Sequence, residues 1–230
     1  MDIDIKNHED MWVLRDIAYG SAGYVIFIFY YFIIPIIASA SVADDLDSGI
    51  ARTYLALPIT RKLYFSTKIM ADIFVILICV NMPLWISYLL LGTLRGIWLS
   101  KKVLLLSIPL IFGSVTLYLV SLLWSVIQPY GTGSAFSAII TLNFWYFLPT
   151  FLYRFLPPTP DPILLLYSFT PEALLDYFYV YLYRFPFNDR ASQIWLRNYC
   201  WVVRNVVVTM LCVGLFSLVM AYFLFSRKDL

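Results

Sequence analysis

The sequence predicts an all-α, polytopic transmembrane helical bundle of about five spans, and three observations predict it. Of the 230 residues, 62% are hydrophobic and 13% charged, whereas soluble domains are about half apolar and a quarter charged. A chain this short still exposes much of its surface when folded, so the excess cannot all enter one core and must face lipid. The apolar residues also fall in unbroken runs of about 18 or more, the helix length that crosses roughly 30 Å of hydrocarbon. These runs lack the alternation of apolar and polar residues that barrel strands require. Trp and Tyr gather near the run ends, as in an interfacial belt.

The expected spans are 17–43, centred on YVIFIFYYFIIPIIA, then 69–91, 103–127, 134–153 and 199–225, all within a single transmembrane domain. The region 154–198 opens with Pro157, Pro158, Pro160 and Pro162, and its apolar part is interrupted by Pro171 and carries Glu172 and Asp176. That composition is too polar and too broken for an ordinary span. It predicts one or two short helices that dip into the membrane or lie on it, an extracytoplasmic re-entrant or interfacial region. The first 16 residues are polar and acidic and lack the basic-then-apolar order of a cleavable signal. Basic residues set orientation. Arg52, Arg61, Lys62 and Lys68 lie in the loop 44–68, and Arg227 and Lys228 in the tail. The four spans between them put both on one side, which we expect to be cytoplasmic.

Several chemistries are excluded by what the chain lacks. Its net charge of +2 suggests no nucleic acid. The single histidine, His8, rules out a His-based triad and a bis-His haem, and no Cys, His and Glu residues stand at metal-ligand spacing. Cys79, Cys200 and Cys212 each lie in or beside an apolar run and read as small hydrophobes. None of the nine glycines opens a Gly-x4-Gly-Lys-Ser/Thr phosphate loop. We therefore expect a non-catalytic membrane subunit with no metal or cofactor.

One segment stands apart from generic membrane sequence: DDLDSGIARTYLALPITRKLYFSTKIMADI, residues 44–73. Leu46, Ile50, Tyr54 and Leu57 are spaced to share one face of a short amphipathic surface helix. Asp44, Asp45 and Asp47 would crowd its N-terminus, where negative charge is favourable. Pro58 stops it. Thr60 is placed to cap the next helix, with Ile59 and Tyr64 spaced as a hydrophobic staple. A rigid helix on the membrane surface is what a motor subunit needs as a handle.

This segment resembles the cytoplasmic coupling loop of the ABC transporter type 2 permeases. In that family an acidic residue precedes Ser-Gly, an apolar helix follows, then Leu-Pro with Ser or Thr and a basic residue, and a Lys opens the next span. Here these are Asp47, Ser48, Gly49, the helix around Tyr54, then Leu57, Pro58, Ile59, Thr60, Arg61 and Lys68. The tail from Phe225 to Leu230 resembles the family's Phe-x-Arg-Arg-Asp-Leu ending. The turn QPYGTGSAFS at 128–137 and the stretch YSFTP at 167–171 are weaker echoes. The resemblance covers roughly residues 17–230, with one departure. Six spans are usual in the family, two of them before the loop, and one precedes it here.

The resemblance implies the permease subunit of an ABC-type exporter in the cell (plasma) membrane. It implies a separate ABC ATPase subunit held by Asp47, Ser48, Gly49, Tyr54, Leu57, Pro58, Thr60 and Arg61. A second permease subunit, the same chain or another, would complete the translocation path, and membrane lipids would surround it. The alternative expectation is a non-catalytic structural subunit of another membrane complex. Polar residues within spans are costly and often functional. Asn81, next to Pro83, and Asn143 are candidates for the translocation path, Asn143 by bonding across helices. Glu172 and Asp176 are candidates for an outer gate. Asp72 is spaced one turn from Lys68 and is expected to face it.

Overall fold

The structure, a computed structural model, describes residues 32–95, 107–128, 130–155 and 190–228. All regular structure among them is helical. In order these are α1 (Ile34–Ala38), a π-helical turn (Ser39–Ala43), α2 (Asp44–Asp47), α3 (Ile50–Ala56), α4 (Arg61–Arg95), α5 (Ser107–Ile127), α6 (Gly131–Phe155) and α7 (Arg190–Arg227). Three contain stretches long and apolar enough to cross a membrane: Arg61–Met82, Leu110–Ile127 and Arg204–Arg227. The protein thus has the build of a helical membrane protein. The described parts of the expected spans 69–91, 103–127, 134–153 and 199–225 lie in helices α4, α5, α6 and α7, of which α4, α5 and α7 hold the three membrane-length stretches. The described part of 17–43 is helical.

The helices run past the expected spans at several ends, by a few residues at the end of α4 and at both ends of α6, and by more at two starts. Helix α4 starts at Arg61, eight residues before the expected span, because Thr60 caps it at the edge of the loop. Helix α7 starts at Arg190, so the expected re-entrant region loses residues 190–198 to the last helix. Residues 156–189, which include Glu172 and Asp176, lie outside the described residues.

Helix α5 is the centre of the bundle. It packs against α1, the π turn, α4, α6 and α7. Its spanning stretch is 67% buried, against 28% for those of α4 and α7, whose outer faces carry Met70, Phe74, Leu215, Phe216 and Val219 in the open. Those exposed side chains have the chemistry of lipid-facing surface. Ser114, Thr116, Ser121 and Ser125 are buried on α5, and each hydroxyl donates to a carbonyl three or four residues back on its own helix. They are short and internally satisfied, so they let neighbouring helices approach without an unpaired polar group.

The partner face of α7 follows the same logic. Val206, Met210, Gly214, Ser217, Ala221 and Phe225 are buried at successive spacings of three or four, one stripe down the helix. A side chain at Gly214 would begin 3.4 Å from Leu119 Cδ1 and 3.8 Å from Thr116 Cγ2. The small residues of this stripe set the α5–α7 separation.

Candidate functional site

The loop between the first helical segment and α4 is folded against the end of the bundle. Backbone torsions stay right-handed from Ile33 to Ser48, so α1, the π turn and α2 form one continuous rod. The rod stops because Gly49 is left-handed, with φ 76° and ψ 3°. Ser48 closes it, with its N–H and its hydroxyl both donating to the Asp44 carbonyl, at 2.9 and 2.7 Å. Glycine just past a helix end adopts this conformation without a Cβ penalty. Helix α3 then leaves in a new direction, and Leu57 turns extended (ψ 164°) ahead of Pro58. Thr60 Oγ1 accepts from the Leu63 N–H at 3.2 Å, the N-cap expected of it.

The expected single helix is therefore two, and the expected face divides. Leu46 belongs to α2 and is half-buried against the core. On α3, Ala51 and Leu55 turn inward. Ile50, Tyr54 and Leu57 point outward, 44%, 47% and 52% exposed. Ile50 and Tyr54 on this seven-residue helix and Leu57 just past its end form an exposed apolar ridge, with the Tyr54 ring tilted against Tyr64, flanked by exposed Asp47, Ser48, Arg52 and Pro58. The signal for the break was legible: Asp-Ser-Gly is a helix-stop pattern.

The acidic residues also have other work than the expected helix N-terminus. Asp45 is 7% exposed. Its Oδ2 accepts from the Tyr64 hydroxyl and pairs with Lys68 Nζ at 2.7 Å. Lys68 is thus taken by Asp45 and not by Asp72. Asp72 accepts instead from the Tyr118 hydroxyl at 2.7 Å, which ties α4 to α5. Asp44, adjacent in the chain, turns the other way and lies on Gly131 at the start of α6. A Cβ there would collide with Asp44 Oδ1. A carboxylate at a helix N-terminus is favourable, and only glycine admits it this closely. Asp45 therefore bonds the rod to α4, while Asp44 packs against the start of α6.

Arg61 is half-buried, and it reaches the other end of the sequence. Its Nη1 donates to the carbonyls of Ser226 at 2.7 Å and Lys228 at 2.8 Å. A helix leaves its last carbonyls without intrahelical partners, and an arginine there satisfies them and complements the helix dipole. Partial burial of this tail pushes the Lys228 ammonium below the usual lysine range. Behind Arg61 runs an aromatic stack. Tyr64 lies 6.1 Å from Tyr54 and 5.8 Å from Phe225, and Phe65 lies 5.1 Å from Phe225 and 5.8 Å from Tyr222, between ring centroids. Phe225 is fully buried among them.

Three of the singled-out sequence stretches thus meet at one end of the bundle: the loop 44–68, the turn at 128–137 and the tail. The expectation that loop and tail share a side agrees with this contact. The candidate path residues sit elsewhere. The Nδ2 groups of Asn81 and Asn143 each donate 2.7 Å back to their own helices, to Leu77 and Ile139. Asn143 Nδ2 thus gives one of its two hydrogens within α6, where a carbonyl one turn back is in reach. Asn81 Oδ1 is buried without a partner among the described residues. Sequence reasoning missed Asp45, Tyr64 and Gly131 as joints of this site. Their partners lie in other elements, and no local pattern announces them.

No protein-family model matches the chain, and no curated protein or solved structure matches it either.

Proposed function

We propose that this protein is the membrane-embedded permease subunit of an ABC-type exporter, working in the plasma membrane with a separate ATPase subunit and a second permease subunit. One observation carries the proposal. The loop that resembles the family's coupling loop presents Ile50, Tyr54 and Leu57 as an exposed apolar ridge while its other side is anchored to the bundle. Exposed apolar surface of this kind marks contact sites. A handle must have both properties: a face for the motor to hold and rigid joints to pass the movement on. The joints are Asp45 to Tyr64 and Lys68, and Arg61 to the tail.

In this reading Asp47, Ser48, Gly49, Tyr54, Leu57 and Pro58 meet the ATPase, and Thr60 and Arg61 position them. Nucleotide binding and hydrolysis on the partner shift the loop. Substrate passes between permease subunits along a path to which Asn81 and Asn143 contribute, with Glu172 and Asp176 at an outer gate. The aromatic, apolar spans favour a hydrophobic substrate. The outward direction of transport rests on the resemblance alone.

The test is purification of the tagged full-length protein from its native membranes in a gentle detergent, with mass spectrometry of its companions. A stoichiometric subunit carrying a phosphate-loop motif is expected. Leu57→Asp, a change at an exposed position, should release that subunit and leave the membrane protein intact. Companions without an ATPase would refute the proposal and favour a structural role in another complex.

A further inference from the structure

We propose that Arg61 is a latch that makes the exposed loop and the last helix move as one body. The inference rests on the reading of α3 as a handle, but it concerns where the handle is fastened, which that reading leaves open. By chain connectivity, α3 joins the rod through Gly49 and leads into α4, and neither connection reaches α7. The geometry adds one that does. The Arg61 guanidinium is one residue past the Thr60 cap and holds two carbonyls at the end of α7, 165 and 167 positions away in sequence.

Two features make this a latch and not a passing contact. Ser226 and Lys228 carbonyls are both held by one Nη1, so rotation of the last turn of α7 breaks the pair of bonds together. The same junction is backed by stacked Tyr64, Phe225 and Phe65, which fix the direction from which Arg61 approaches. Helix α7 in turn lies on the central helix α5 through the small-residue stripe at Gly214. A displacement of α3 is therefore delivered to two helices, α4 and α7, and through α7 to the centre of the bundle. Arg61 is a positioning residue in this scheme. The exposed ridge on α3, not Arg61, meets the partner.

The experiment needs no ATPase. Cys79, Cys200 and Cys212 are replaced by Ser in the full-length protein, which is then spin-labelled at Thr53 on α3 and Val219 on α7, both exposed. The interlabel distance distribution is measured in lipid nanodiscs. A narrow single distribution is expected for the parent. Arg61→Ala should broaden it or shift it by several ångströms. Arg61→Lys, whose ammonium lacks the guanidinium's planar fork, should fall between the two. Lys228→Pro attacks the latch from the other side. It removes the bond from the Lys228 N–H to the Phe225 carbonyl and pushes Arg227 out of the helical region, so it should reproduce the broadening. A control pair at Ile140 and Val219, also exposed, should not change. Unchanged α3–α7 distances in both Arg61→Ala and Lys228→Pro would overturn the latch. So would equal broadening of the control pair, which would make Arg61 a general support of the bundle. Absence of an ATPase from the purified parent protein would instead sink the functional proposal and leave this result standing.

Discussion

Removing the carboxylate of Asp45 should destabilise the protein more than removing the exposed side chain of Lys62. Asp45 Oδ2 serves two donors, the Tyr64 hydroxyl and the Lys68 ammonium. In Asp45→Ala both lose their acceptor. Tyr64 is 5% exposed, so its hydroxyl cannot turn to bulk water, and a buried unpaired donor costs about 1–3 kcal/mol. The Lys68 side chain is a third exposed and rehydrates. Its share is that of a near-surface pair, up to about 1 kcal/mol. The sum is about 1–4 kcal/mol. Lys68→Ala is the harsher change, because it leaves a carboxylate that is only 10% exposed with one neutral hydrogen bond. Uncompensated buried charge costs about 3–5 kcal/mol as an upper range. Tyr64→Phe, which leaves the ion pair intact, should be the mildest of the three. The double change Asp45→Ala with Lys68→Ala should cost less than the two single losses together, since it removes the stranded charge. Thermal unfolding in detergent, followed through the intrinsic fluorescence of the seven tryptophans, measures the series. Soluble-protein scaling gives about 2–4 °C per kcal/mol for a chain of this length. Lys62, exposed near the start of the same helix, is the control. If Lys68→Ala lowers the midpoint no more than Lys62→Ala, Asp45 is not the buried joint described here.

Three further outcomes follow from particular contacts. At Gly49 a Cβ would meet nothing within 4 Å, so Gly49→Ala is opposed only by the left-handed backbone. It should cost roughly 1–2 kcal/mol, with Gly49→Asn clearly milder, and equal midpoints for the two would remove the conformational explanation. At Gly214 a Cβ just fits against Leu119, so Gly214→Ala should be tolerated. Gly214→Leu should cost about 1–3 kcal/mol by forcing α5 and α7 apart; a neutral Leu would mean the helices are not held at this separation. Tyr118→Phe strips Asp72 of its donor from α5 and should cost about 1–3 kcal/mol. Asp72→Ala in the Tyr118→Phe background should then be nearly neutral, and independent, additive effects would show that the two do not interact.

Helices and their order, the stop at Pro58 and the start at Thr60 were legible from residues because each is decided locally. Unbroken apolar runs become helices where lipid offers no partner for backbone groups. Pro58 stops α3, Thr60 starts α4, and Gly49 stops α2. The spacing of Leu46, Ile50, Tyr54 and Leu57 predicts one helix across Gly49, and the left-handed glycine divides it. Periodicity states which positions would align if the helix continued. It does not state that it continues.

The joints of the candidate site were not legible, for a physical reason particular to this class of protein. In a soluble helix the buried face is the apolar one, and the pattern points to it. Along α4 and α7 lipid-facing and protein-facing positions are both apolar, so Met70 and Ile76, or Leu215 and Met210, look alike in sequence and differ only in what packs on them. Polar partners are equally silent. Asp45 is nineteen positions from Tyr64, and Lys68 stands at a spacing that suits Asp72 as well. Arg61 reads as a free cation in a surface loop until the end of α7 is brought beside it. By itself the sequence determined an all-helical membrane bundle with a capped, broken surface loop, because those features depend on a few neighbouring residues and the solvent around them. Only the tertiary structure decided which carboxylate holds which cation and which glycine admits a neighbour. Those choices depend on distances between elements that local residue preferences do not encode.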